Sequence, residues 1–146
     1  MRWVMVALAA VGGMGGAGCS RDDETRKLLA ADRTLATQHR IWRKTRQSLN
    51  SEKPNLNLIR SVAIYLCKRT RGRVAKNYAG PDKQEVLARL DALKAAYEAK
   101  VLSLIDRRSY EVVLKPGVTS RQVRDAFMEI DRDYRALEAM TPTPPE

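Results

Sequence analysis

The sequence predicts an all-α protein, an antiparallel bundle of about four helices that follows a signal peptide and precedes a proline-rich tail. An extended pair of helical hairpins is the alternative arrangement. Two observations predict this class. Four successive segments carry hydrophobic residues at helical spacing, and short turn-forming stretches containing proline or glycine separate them. The predicted divisions of the chain are a signal peptide at 1–18, a helical domain at 19–140 and a disordered tail at 141–146.

The first eighteen residues have the composition of a secretory signal. Arg2 is the only charge before Arg21, and an apolar run at 3–11 is followed by a glycine-rich run at 12–16. A positive start, a short apolar stretch and small residues before a cleavage point are typical of a signal peptide. A membrane-spanning helix needs about 20 predominantly apolar residues, which is more than this stretch offers. We therefore expect a signal peptide and not a transmembrane anchor.

The end of that stretch, Gly16-Ala17-Gly18-Cys19, resembles the lipobox of bacterial lipoproteins. In that family the cysteine sulfur receives a diacylglycerol, the signal is cut just before the cysteine, and the new amino group is usually acylated. Ala17 and Gly18 match the small residues of the pattern, whereas Gly16 stands where leucine is usual. The resemblance implies lipidation at Cys19 and a membrane-anchored protein facing the periplasm. Ordinary cleavage near Ala17, which would release a soluble periplasmic or secreted protein, is the alternative.

The cysteine content fits the anchored interpretation. The chain has two cysteines, Cys19 and Cys67, and a lipidated Cys19 leaves Cys67 without a partner in the same chain. Exported proteins usually pair their cysteines or omit them. Because Cys67 continues an apolar run, we expect a buried thiol that packs as a small hydrophobic group. An intermolecular disulfide or a reactive thiol is the alternative.

The first two helices are predicted over 22–49 and 56–78. Large apolar residues recur every seven positions in the first of them: Leu28, Leu35, Trp42 and Leu49. The second contains the run 62–67, which is apolar on every side of a helix and is therefore expected to be buried. The basic stretch that follows contains Gly72, where a bend or a local weakness is expected because glycine disfavours a helix interior.

The third helix is predicted from Pro81 to about residue 108, followed by a short segment at 110–114 that could be extended. The fourth is predicted over 119–140. It opens with Thr119 followed three residues later by Gln122, the form of a capping box. Heptad spacing of apolar residues then continues along it: Val123, Phe127, Ile130, Tyr134 and Leu137.

Charge is distributed unevenly along the chain, which has a formal net charge of +10. Residues 21–79 contain fifteen Lys and Arg against five acids, whereas residues 80–146 contain eleven against twelve. The asymmetry favours an anionic partner for the first half. Anionic lipid, an envelope polymer or an acidic protein would fit, and nucleic acid is not expected because export removes the chain from the cytosol.

Two basic groups are the candidate contacts for that partner. The first group ends the first helix and the second group ends the second helix: Arg40, Arg43, Lys44 and Arg46, then Lys68, Arg69, Arg71, Arg73 and Lys76. If the two helices are antiparallel, the groups lie at opposite ends of the pair and form no single patch. A merely solvated face is the alternative interpretation.

Patterns typical of catalysis or metal binding are not found in the sequence. His39 is the only histidine and, beside Arg40, is expected at the surface. The sequence contains neither the Cys-x-x-Cys-His of covalent haem nor the Glu-x-x-His of di-iron bundles. Glu129, Asp131 and Asp133 lie among arginines of the fourth helix and are expected to form surface ion pairs. No catalytic residue, metal ligand or cofactor is therefore predicted.

These observations predict a lipid-anchored envelope protein with a structural or partner-binding role and no enzymatic activity. The alternative is a soluble exported helical protein that binds an anionic ligand or envelope polymer through its basic N-terminal half.

Overall fold

The computed structural model describes residues 18–78, 80–108 and 110–141, with side chains from residue 33 onward. Most of these residues are helical, and the only sheet among them has two strands. The elements in chain order are α1 (Gly18–Leu49), α2 (Asn57–Ala63), a π-helical segment (Ile64–Arg69), α3 (Thr70–Asn77), α4 (Lys83–Lys100), a 3₁₀ turn (Leu102–Leu104), β1 (Ile105–Arg107), β2 (Val112–Leu114) and α5 (Ser120–Met140). The predicted all-α class is confirmed.

Two predicted segments fall largely outside the described residues. They are the signal peptide, of which 1–17 is outside, and the tail, of which 142–146 is outside. Within the described residues, no helix combines the length and the apolar character needed to cross a membrane.

An aromatic group forms the centre of the core. The Trp42 ring of α1 is stacked against two rings of α5, with centroid distances of 4.1 Å to Tyr134 and 4.2 Å to Phe127. Tyr97 of α4 packs against the same indole at 6.0 Å. All four side chains are fully buried. Since aromatic rings bury more area than other side chains, this group holds α1, α4 and α5 together.

The limits of α1 and α5 follow from local sequence. α1 begins at Gly18, four residues before the predicted start, so that Cys19 lies in its first turn. α5 begins after the predicted capping box: the Thr119 hydroxyl accepts from the Gln122 backbone N–H at 3.3 Å, and the Gln122 side-chain oxygen accepts from the Thr119 N–H at 2.8 Å. The capping prediction is confirmed.

The irregularity predicted in the second helix is present but lies elsewhere. The chain widens to a π-helix at Ile64–Arg69, whereas Gly72 lies within regular α3. The predicted burial of the apolar run is only partly correct, because Val62, Ala63 and Leu66 are buried while Ile64, Tyr65 and Cys67 are half-buried. Neighbouring helices cover one side of this segment and leave the other side open.

The prediction that the third helix runs to about residue 108 is wrong. α4 ends at Lys100, and the chain then forms an antiparallel hairpin in which Ile105 pairs with Leu114. Val101 and Ile105 are four residues apart, as a helical stripe requires, yet Ile105 reaches the core from β1. Apolar spacing alone could not distinguish a continued helix from a strand at Ile105, because the strand that pairs with β1 lies later in the chain.

Candidate functional site

The predicted lipidation site lies at the start of the fold. Cys19 belongs to the first turn of α1, and its side chain is outside the part of the chain that the structure describes. Lipidation at Cys19 therefore stays a prediction.

The first basic group is partly used inside the fold. Arg43 pairs with Glu138 at 3.2 Å and Arg46 pairs with Asp131 at 2.8 Å, so both attach α1 to α5. Arg40 and Lys44 are exposed on α1. Two of the four cations that the sequence offered to a partner thus contribute to the packing of helices.

The second basic group is spread over four environments. Arg71 pairs with Asp91 of α4 at 2.8 Å. Arg69 lies over the Tyr65 ring, 5.5 Å from its centroid, and lines a small groove with Arg73 and with Arg33 of α1. Lys76 is exposed at the end of α3, and Lys68 lines a separate cleft. No member of the first group lines the groove or the cleft.

Asp131 forms an ion pair of the predicted i,i+4 kind with Arg135, but the prediction that it lies at the surface is wrong. It is only 4 % exposed, and its carboxylate accepts from the Trp42 indole N–H at 2.8 Å, from Arg46 at 2.8 Å and from Arg135 at 3.0 Å. Burial alone would raise the pKa of Asp131, but these hydrogen bonds outweigh it and lower the pKa. Glu129 and Asp133 are exposed as predicted, and Glu129 pairs with Lys100 at 2.7 Å.

The prediction that His39 lies at the surface is also wrong, since it is 1 % exposed. Its Nδ1 lies 2.7 Å from the Tyr134 hydroxyl, and its Nε2 lies 3.1 Å from the Thr141 carbonyl oxygen. Because a carbonyl only accepts, Nε2 carries the proton and Nδ1 accepts from Tyr134. Burial lowers the pKa of His39, against an opposing effect of Glu138. A neutral imidazole therefore joins α1 to α5 and to the residue after it.

A signal for this burial was present in the sequence. His39 lies four residues after Leu35 and three before Trp42, both of which are core residues. That spacing places all three on one helical face. The neighbouring Arg40 points elsewhere because successive helical residues are separated by about 100°.

The structure reveals a cleft that the sequence did not indicate. It has a volume of about 760 Å³ and is bordered by α2, the π-helical segment, the end of α4, the 3₁₀ turn and the hairpin. Five cationic residues line it, and we call this the basic cleft: Arg60, Lys68, Lys94, Arg107 and Arg108. Glu98 is the one acidic residue in the lining, and the apolar part consists of Ala63, Ile64, Cys67 and Leu102.

Two hydrogen bonds hold the hairpin against α2. The Asn57 side-chain oxygen accepts from the Val112 backbone N–H at 3.0 Å, and the Arg60 guanidinium donates to the Arg108 carbonyl oxygen. Both bonds join residues about fifty positions apart in the chain. The cationic rim is thereby positioned before any ligand arrives, which lowers the entropic cost of binding.

The cations of the basic cleft are not neutralised by pairing. Among the described residues, none of the five has a carboxylate oxygen within the 4.0 Å of an ion pair. Like charges at the mouth of a concave, partly apolar surface repel one another and focus a positive potential. The arrangement is therefore suited to binding an anion.

Cys67 in the same cleft is not set up as a nucleophile. Burial, together with Glu98, raises the pKa of the Cys67 thiol to about 11 against the opposing effects of Lys94, Arg107 and Lys68. The thiolate is the reactive form of cysteine. At neutral pH the protonated thiol contributes to the apolar lining.

Sequence reasoning missed four of the five cations, because Lys68 alone belonged to a predicted basic group. Lys94, Arg107 and Arg108 come from the half of the chain that is close to neutral. Their approach to α2 depends on where α4 ends and the hairpin turns. No spacing along the chain could have signalled that approach.

Within the described residues, no three His, Cys, Asp or Glu side chains are grouped so as to hold a metal ion. Comparison with protein-family models, with curated proteins and with solved structures finds no match for this chain.

Proposed function

We propose that this protein is a lipid-anchored component of a bacterial cell envelope that binds an anionic partner and catalyses no reaction. The observation that carries the binding role is the basic cleft, in which five cations face one carboxylate. The anchoring role depends on the resemblance of Gly16-Ala17-Gly18-Cys19 to a lipobox. Different residues support the two roles, so the anchor and the binding site can be tested separately.

The proposed mature chain starts at Cys19 and forms an antiparallel bundle of about four helices, with 141–146 as a proline-rich tail. The mature chain would keep residues 19–49 of α1, which span about 46 Å. An acylated Cys19 would attach its first turn to the bilayer, and two or more acyl chains give stable attachment. The bundle would then face the periplasm, tethered by the start of α1.

The anchor is tested by the intact mass of the protein purified from bacterial membranes. We expect a chain that begins at Cys19 and carries the added mass of acyl chains. The same protein should partition into detergent. The Cys19→Ala variant is the matched control and should lose both properties. An unmodified chain beginning at another residue would overturn the anchor and leave the alternative, a soluble exported protein with the same cleft.

The binding role is tested with phosphatidylglycerol vesicles and inorganic phosphate over a series of salt concentrations. Exposed charge interactions weaken as salt shortens the screening length, which is about 10 Å at 0.1 M. We expect binding to fall with salt and to fall again when Arg107 and Arg108 are both replaced by glutamine. Affinity that is independent of salt and of both arginines would contradict the proposed binding role.

A further inference from the structure

The basic cleft has two chemically distinct parts, and they restrict the kind of anion it can hold. The five cationic side chains, which we call the rim, form one part, and the half-buried Ile64, Cys67 and Leu102 form the apolar part. Cys67 and Leu102 also pack against the hydrophobic core, so this lining is held in place from behind. A fully hydrated ion would use the rim and leave the apolar part in contact with water.

Regular helical spacing explains why Ile64 and Cys67 face the cleft together. The cleft residues of α2 and the π-helical segment follow one another at steps of one or three positions: Arg60, Ala63, Ile64, Cys67 and Lys68. Residues three or four positions apart lie on one face of a helix. Ile64 and Cys67 are therefore beside Lys68 in the cleft lining, while Val62 and Leu66 are buried in the core.

The rim favours phosphate over carboxylate. Three of its five cations are arginines, whose planar guanidinium groups offer paired N–H donors that match the oxygens of phosphate and carboxylate alike, so the preference comes from charge. A phosphate monoester also carries up to two negative charges and three acceptor oxygens. With a single carboxylate, Glu98, in the lining, the cleft can accommodate that charge.

We propose that the basic cleft binds an amphipathic phosphate monoester, with the phosphate at Arg107, Arg108 and Arg60 and an alkyl chain against Ile64 and Leu102. This assignment rests on the proposed anion-binding function and specifies its ligand. The volume of about 760 Å³ lies within the range of small-molecule sites. The same chemistry is found in a free alkyl phosphate and in the headgroup region of phosphatidic acid.

The test is calorimetric titration of the purified full chain with inorganic phosphate, butyl phosphate and butanol. Each methylene removed from water contributes about fourfold in affinity, so butyl phosphate should bind roughly tenfold or more tightly than inorganic phosphate. Butanol, which lacks the charge, should bind more weakly than both. Chemical-shift changes in backbone amides should centre on α2, the π-helical segment and the hairpin.

Matched variants separate the two parts of the site. Arg107→Gln should weaken the binding of inorganic phosphate and of butyl phosphate about tenfold. Arg132→Gln, which removes the same charge from an exposed position of α5, should leave both affinities unchanged. Ile64→Thr should weaken the binding of butyl phosphate and leave the binding of inorganic phosphate unchanged. Arg108→Gln provides a second rim variant if Arg107→Gln is poorly folded, with circular dichroism as the check on folding.

Two results would contradict the amphipathic phosphate site, and they differ in what they imply for anion binding. If butyl phosphate binds no more tightly than inorganic phosphate and both still need Arg107 or Arg108, the amphipathic ligand is wrong and the anion-binding function stands. If neither phosphate responds to any rim variant, the anion-binding function is wrong as well. Either result overturns this assignment.

A final arm identifies the source of the phosphate ester. Vesicles that contain phosphatidic acid are added to the butyl phosphate complex, with phosphatidylcholine vesicles as the control. If only the phosphatidic acid vesicles displace butyl phosphate, the site is supported and its ligand is a lipid headgroup. If neither kind of vesicle displaces butyl phosphate, and it binds more tightly than inorganic phosphate, the site is supported and its ligand is a free ester. Equal displacement by both vesicles would contradict phosphate recognition.

Discussion

Charge is distributed in opposite ways in two regions of the molecule, the α1–α5 contact and the basic cleft. At the first, the Asp131 carboxylate receives two arginines and the Trp42 indole, all within 3.0 Å. In the basic cleft, five cations share a single carboxylate in the lining. Charge is neutralised where helices must be joined and left in excess where the surface is concave.

This difference separates stability from binding. A buried carboxylate is tolerated only when hydrogen bonds and opposite charges replace its water, so Asp131 and its partners belong to the folded state. Exposed cations at an open cleft, such as Lys68, Arg107 and Arg108, keep much of their water and form no ion pair among the described residues, although Arg60 also donates to the Arg108 carbonyl oxygen. Substitutions in the two regions should therefore affect different measurements.

The largest loss of stability is expected at the aromatic centre. Trp42→Ala removes a fully buried ring stacked on Tyr134 and Phe127 and leaves Asp131 without its indole donor. We expect a loss of about 3–5 kcal/mol in the free energy of unfolding, measured by urea denaturation. Lys44→Ala, at an exposed position of the same helix, is the control and should change stability by less than about 0.5 kcal/mol.

A smaller loss is expected when the charge of Asp131 is removed and its shape is kept. Asp131→Asn should lower the free energy of unfolding by about 2 kcal/mol at pH 7, since hydrogen bonds to charged groups are worth about 1.5–3 kcal/mol. Asp133→Asn, an exposed change on the same helix, is the control. Equal losses in the free energy of unfolding for the two substitutions would show that the hydrogen bonds of the Asp131 carboxylate do not stabilise the fold.

The pH dependence of that loss has a definite sign. Because the folded-state pKa of Asp131 is lowered, its charged form stabilises the fold above the unfolded pKa of about 3.9. This contribution is lost as the pH falls through the lower folded-state pKa. The difference between wild type and Asp131→Asn should therefore shrink in acid.

His39 should make stability depend on pH at a higher range. Its pKa is lowered by burial, so the unfolded chain takes up a proton that the folded chain refuses. The free energy of unfolding should be highest above the unfolded pKa of about 6.5 and decline as the pH falls below it. Denaturation between pH 8 and pH 5 measures the decline.

His39→Gln supplies the comparison for that experiment. The variant should be less stable at pH 8, because the contacts to Tyr134 and Thr141 are altered. Its stability should vary much less between pH 8 and pH 5, since His39 is the only histidine. An unchanged slope in the variant would assign the pH dependence to other groups.

The smallest effect on stability is expected in the basic cleft. Arg107→Gln removes an exposed cation that has no ion pair among the described residues, so the free energy of unfolding should change by less than about 0.5 kcal/mol. Added phosphate should raise the melting temperature of wild type more than that of the variant, because a ligand that binds only the folded state stabilises it. Thermal denaturation with and without phosphate checks both statements.

Local patterns were sufficient for several elements. The heptad positions of α5 and the capping box at Thr119 depend on residues three or four apart, and both are found as predicted. The burial of Trp42 follows from the seven-residue spacing of α1. Errors arose where a residue's partner lies far away in the chain, as for Ile105 in β1 and for Asp131, whose partner Arg46 is 85 positions away.

The sequence by itself determined the helical class, the periodic core positions and the presence of a lipobox-like segment ending at Cys19. The tertiary structure alone decided which charges form ion pairs within the fold and which collect at the basic cleft. Summed over the chain, the positive excess lies in the first half, yet three of the five cations in the basic cleft come from the second. The physical reason is that electrostatic potential depends on distances in space, and the hairpin after α4 brings Arg107 and Arg108 to Lys68.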